Sequence, residues 1–247
     1  MKSHVQIPKS ILKNFAYKSG KDGLVVDYLD LSCNEIKTEK INKLDTIEGY
    51  YSEEFDKRMG EKYETPFGDI SKRIRDFNKN KLDKLSLSER ETKTILDFYN
   101  NIFFRGKFAL EKANKYSLTS VVRPIEQEEL IILTRENLFT GNWVNIIRNK
   151  TNIDFVIPRN CFYVKKSKSA KKPHYILPIT PKSAIILIPK EEIEEFETTK
   201  GTRDHYSVDD ENTIKTLNEF ALEIEKGTNN MFVVGNKLEL SRLKKLL

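Results

Sequence analysis

The stretch from Ser183 to Pro189, SAIILIP, constrains the fold more than any other part of the chain. It is the longest apolar run in the sequence, yet far too short to span a bilayer, so it reads as a buried strand. It does not stand alone. From Trp143 onward, 143–147, 154–164 and 175–179 also read as strands, separated by polar or proline-bearing turns. Met231 to Val234 reads as a last strand.

The chain before Trp143 has a different texture. Ile7 to Phe15 reads as a short helix entered at Pro8. The turn Ser19 to Gly23 leads into a strand over 24–29, with a second near Glu35 to Thr38. A helix begins near Ser52, with Phe55, Met59 and Tyr63 four apart on one face. Thr65-Pro66 reads as a cap followed by proline at the first position of a new helix, which carries Phe67, Ile70, Ile74 and Phe77 inward. Ser88 caps a further helix with Ile95, Phe98, Ile102 and Phe103 on its apolar face, ended by Gly106. Segments 108–116 and 125–133 are two more helices by the same periodicity. Downstream, Ile214, Leu217, Phe220, Ala221 and Ile224 mark an amphipathic helix, and 238–247 a last one.

These patterns lead to an α+β fold. The expectation is a mainly helical N-terminal two-thirds after a short β start, then a mainly antiparallel sheet with C-terminal helices. No repeat, linker or sharp composition shift divides the chain, so residues 1–247 read as a single domain, helical over 1–140 and sheet-rich over 141–247.

Composition bounds the function. The chain of 247 residues has a net charge of +6 and pI near 9.0. The excess is local. Arg148, Lys150, Arg159, Lys165, Lys166, Lys168, Lys171 and Lys172 lie between 148 and 174, opposed there only by Asp154. Such a cluster attracts a polyanion, although a lysine-rich hairpin loop is also an ordinary solvated surface. Cys33 and Cys161 have no CxxC spacing, so neither a disulfide framework nor a zinc motif follows. With no signal-like apolar run at the start, the reading is cytoplasmic, with no membrane partner.

Many chemistries lack their motifs. There is no GxxxxGK[ST] and no GxGxxG phosphate loop, no HExxH or HxH, and no GxSxG elbow. The three histidines, His4, His174 and His205, are far apart.

Several segments in order resemble a bacterial family catalogued as domain of unknown function 4238. Pro8, Leu12, Asn14 and Phe15 are similar to its opening signature, where a histidine stands just ahead of the proline; here His4 precedes Pro8 by four positions. Gly49 to Ser52 resembles the next block. A helix with two spaced acids follows in the family, matched here by Asp56 and Glu64, and its helix ending in arginine is echoed by Phe98 to Arg105. The block Phe155 to Cys161 is similar to Phe-x-x-Ser-Asp-Asn-Pro, with Asn160 retained and Arg159 in the aspartate's place. Pro178 to Pro181, Asn218 and Phe232 to Gly235 complete the likeness. The family has no agreed biochemical function. Some members look like phage-defence or toxin components, so the resemblance implies a nucleic-acid-directed activity and a protein partner encoded in the same operon.

Three readings of the residues follow. In the first, His4, Asp56 and Glu64 form a nuclease-like hydrolase site. Histidine titrates near neutrality, and an acid orients it or holds a divalent metal. Arg105 or Arg159 then steadies a phosphate, beside Asn160. Against it, eight residues of helix turn Asp56 and Glu64 about 80° out of alignment. In the second, the chain is a binding module whose Lys165, Lys166, Lys168, Lys171 and Lys172, flanked by Tyr163 and Tyr175, contact phosphates and stack bases of a nucleic acid, with Arg159 nearby. In the third, the acidic run Glu191 to Glu197 meets this basic loop, within the molecule or in an oligomer.

Overall fold

The computed structural model describes residues 2–4, 6–20, 23–48, 52–79, 85–105, 139, 141–165, 173–192, 205–225 and 232–247. The chain opens with β1 (Lys2–His4), α1 (Lys9–Phe15), β2 (Tyr17–Lys18), β3 (Leu24–Asp30), β4 (Glu35–Lys40) and β5 (Thr46–Glu48). α2 (Glu53–Met59), a π turn (Gly60–Glu64), α3 (Thr65–Asn78) and α4 (Glu89–Arg105) follow. Then come β6 (Asn142–Asn149), β7 (Ile157–Pro158), β8 (Tyr163–Lys165), β9 (His174–Thr180), β10 (Ser183–Pro189), a 3-10 turn (Lys190–Glu192), β11 (His205–Val208), α5 (Glu211–Glu225), β12 (Phe232–Gly235) and α6 (Lys237–Lys244). The helices expected at 108–116 and 125–133 lie outside the described residues.

The expected division into a helical N-terminal part and a later sheet does not hold. Strands come first, and helices are interleaved with them. The reason is long-range pairing. One sheet has the order β11-β6-β10-β9-β8, antiparallel except where β11 runs parallel to β6. In the other, β3 from the N-terminal end carries β4 along one edge. Along its opposite edge lie β2 and the C-terminal strand β12, and β12 in turn pairs with β7. β1 and β5 form a separate two-stranded ribbon.

The SAIILIP run is β10, the central strand of the first sheet, buried along its whole length. Ile185 and Leu187 join a core with α1, α3 and α4, while Ala184, Ile186 and Ile188 join another with α5. Burial on both faces explains why the run lacks the alternation of a half-exposed strand.

The expected break at Thr65-Pro66 is also corrected, because Thr65 is helical and α2 passes into α3 through the π turn. Pro66 has no N–H to donate and its ring crowds the preceding turn. The wider turn, in which the Thr65 N–H donates to the Gly60 carbonyl, absorbs this. It also keeps Phe55, Met59, Tyr63 and Phe67 buried together, since steps of four overshoot an α-turn by about 40° each. Ser88 caps α4 as expected. Its hydroxyl accepts from the Glu91 N–H, and Glu91 accepts from the Ser88 N–H in return.

Candidate functional site

The single strand expected over 154–164 is two short strands in different sheets. β7 pairs with β12, and β8 pairs with β9. The chain crosses between sheets over Arg159 to Phe162, and Cys161 turns it with φ 67°, a left-handed conformation unusual for a residue with a Cβ. Asn160 and Cys161 are both buried at this crossing.

Arg159 does not face solvent here. Its Nε donates to Asp45 Oδ1 at 2.9 Å, and its guanidinium lies 5.8 Å from the Phe232 ring centroid. The two side chains are only 14% and 2% exposed. Asp45 closes the turn between β4 and β5 in the left-handed region, φ 53°. Its other oxygen accepts from the backbone N–H groups of Gln6 and Ile7, at 2.9 and 3.1 Å. Cys161 Sγ reaches the Gln6 carbonyl at 3.7 Å, and among the described residues the buried Gln6 Oε1 has no hydrogen-bond partner. One carboxylate thus ties three distant segments together: the approach to α1, the β4–β5 turn and the crossing between sheets.

His4 lies just beyond this tie, its backbone paired with Thr46 in the β1–β5 ribbon. The structure therefore brings the backbone of His4 near Arg159 and Asn160, through Asp45. Asp56 and Glu64 sit elsewhere, on α2 and at the end of the π turn, and Arg105 ends α4, against which that turn packs. Asp45 was not singled out by sequence reasoning. An aspartate closing a turn is tolerant of left-handed backbone, but nothing local links it to an arginine 114 positions away. The cluster combines one carboxylate with one guanidinium and two backbone donors. Its chemistry is that of a satisfied, charge-neutral clamp.

The basic segment has a different setting. β8 is an edge strand of the first sheet and pairs antiparallel with β9 in the register Tyr163 with Ile176, Val164 with Tyr175 and Lys165 with His174. Residues 166–173 therefore connect the two strands of a hairpin. Lys166, Lys168, Lys171 and Lys172 lie outside the described residues; Lys165 closes the hairpin root. Tyr163 is fully buried, its hydroxyl bonded to the Val156 carbonyl, and burial pushes its phenol well above the ordinary range. Tyr175 is half-buried against Phe103 and Phe139. Neither tyrosine is thus placed as an open stacking surface. At the same root, His174 Nε2 lies 2.8 Å from Oε2 of Glu192, the second residue of the acidic run.

Among the described residues, no group of three or more His, Cys, Asp or Glu side chains could hold a metal ion. No described helix is long and apolar enough to cross a membrane. No family model, curated protein or solved structure matches the chain.

Proposed function

We propose that this protein binds a nucleic acid or similar polyanion through the β8–β9 hairpin. The observation that carries the reading is the strand register at the hairpin root. It mounts a segment with five lysines and no acid between 165 and 172 on the edge of a sheet buried on both faces. A rigid root holds the two ends of a short basic segment together, so its charges act on a phosphate backbone as one patch. The nuclease-like reading gains less support, because Arg159 is committed to Asp45 within the fold.

The test is fluorescence anisotropy with a short labelled single-stranded oligonucleotide and its duplex across a salt series. Five lysines each neutralising one phosphate give a log–log salt slope of about −3.5 on a single strand and about −4.5 on a duplex. Replacing Lys165, Lys166, Lys168, Lys171 and Lys172 by serine abolishes most of that slope. Absence of binding, or a slope unchanged by the replacement, refutes the proposal.

A further inference from the structure

β4 pairs with β3 along one side, and among the described residues no strand pairs with its outer side. The Ile41 N–H donates to the Leu24 carbonyl at 3.2 Å. Antiparallel pairing alternates, so the backbone groups of Glu35, Lys37 and Glu39 also turn toward β3, and those of Ile36, Thr38 and Lys40 turn outward. Glu35 and Thr38 are exposed, so this edge meets solvent. At its far end Lys40 is already engaged. Its N–H donates to Glu39 Oε1 at 2.8 Å. Its carbonyl accepts from the N–H groups of Lys43 and Leu44 at 2.8 and 3.1 Å.

An open strand edge is a template for another chain, and an identical chain is the partner always present. Two β4 strands meeting antiparallel about a twofold axis can join their outward groups in registers centred on Ile36, Lys37 or Thr38. Centred on Ile36, the pair sets Thr38 against Asn34, whose left-handed backbone, φ 55°, lies outside the strand. Centred on Lys37, it sets Lys37 against Lys37 and Glu35 against Glu39, like charges directly opposed. Centred on Thr38, the charges agree, because Lys37 of each copy faces Glu39 of the other. That register needs the Lys40 N–H to reach the Ile36 carbonyl of the second copy, and the Glu39 carboxylate already holds it.

We propose that Glu39 keeps β4 from pairing with a second copy of this chain by occupying the Lys40 N–H. The charge of Glu39 favours the register centred on Thr38, and its hydrogen bond forbids it. The acceptor, not the charge, is therefore the device. Glutamine at this position still offers Oε1 to the Lys40 N–H and leaves Lys37 facing Lys37 in the neighbouring register. Alanine and valine offer no acceptor, and valine also suits an extended strand.

The experiment is sedimentation equilibrium over a concentration series for the full chain and for Glu39→Gln, Glu39→Ala and Glu39→Val, with hydrogen exchange at the β4 amides. The parent and Glu39→Gln hold the monomer mass of 28.9 kDa. Glu39→Ala and Glu39→Val rise toward twice that mass with concentration, and the N–H groups of Thr38 and Lys40 gain protection in step. Two acceptor-free variants are used so that if one fails to fold, by circular dichroism, the other decides. Association of Glu39→Gln to the same extent overturns the inference, because it assigns the effect to charge. So does an unchanged mass in the folded acceptor-free variants. Association without protection at Thr38 and Lys40 overturns it as well, by placing the contact elsewhere, and so does a parent whose own β4 amides gain protection with concentration.

Discussion

Asp45→Asn tests the clamp at the crossing between sheets. Asparagine keeps the side-chain shape and tolerates the left-handed backbone at φ 53°. The substitution therefore removes charge and acceptor capacity with little backbone strain. Asp45 uses one oxygen for the Gln6 and Ile7 N–H groups and the other for Arg159. An amide offers one oxygen, so its NH2 group must face donors on one of the two sides. Arg159, 14% exposed, loses its counter-charge. Breaking a buried pair by removing one partner costs about 3–5 kcal/mol, and the partial exposure of Arg159 places this case near about 3 kcal/mol. For a chain of this size that is a fall in Tm of roughly 6–12 °C. Arg159→Met costs less, about 1–2 kcal/mol, because Asp45 keeps its two backbone donors. The double variant falls short of the sum by about 1–2 kcal/mol, since the unpaired guanidinium is gone. Urea unfolding of the four proteins gives the cycle, and hydrogen exchange at Gln6 and Ile7 reports the local loss. Asp45→Asn within about 0.5 kcal/mol of the parent, a change typical of an ordinary surface site, would refute the reasoning, as would strict additivity.

Three further outcomes are expected. Gly235→Ala places a Cβ 2.8 Å from Val156 Cγ1, where β12 packs against the buried loop, and costs about 1–3 kcal/mol by urea unfolding, as overpacking does. Phe98→Ala removes a fully buried ring stacked on Phe67 at 3.6 Å between centroids, and costs about 3–5 kcal/mol in the same assay. Burial raises the Glu239 carboxyl above its ordinary value of 4.5, with Arg242 pulling it back only in part. The folded state therefore holds that proton more tightly than the unfolded one, and the stability this contributes below about pH 4.5 is lost as pH rises through the folded value. Stability of Glu239→Gln relative to the parent accordingly rises between about pH 4 and about pH 7, and a constant difference would sink that assignment.

Legibility followed the range of the interactions involved. The cap at Ser88 and the inward faces of α3 and α4 were readable, because a capping residue ahead of an apolar run and spacings of three and four residues encode them. β10 was readable as a buried strand because its side chains are apolar on both faces. The strand over 154–164 was misread for a physical reason. Its apolar residues continue through the crossing, and hydrophobicity carries no mark of the left-handed turn at Cys161. β11 hid in a polar segment, since its pairing with β6 is supplied by tertiary contact rather than by its own pattern. The role of Asp45 was hidden for a third reason, because a clamp of one carboxylate on three segments has no local signature.

These same distinctions bear on where function can reside. Of the polar groups singled out in the sequence, Arg159 and Asn160 lie within the crossing that joins the two sheets, where Asp45 satisfies the arginine. A residue so engaged must break a buried pair before it can meet a ligand, and that cost opposes any phosphate contact. At the root of the β8–β9 hairpin, by contrast, the strand pairing of Lys165 with His174 occupies backbone groups. The arginine that the motif pattern made conspicuous is part of the tie at the crossing between the two sheets.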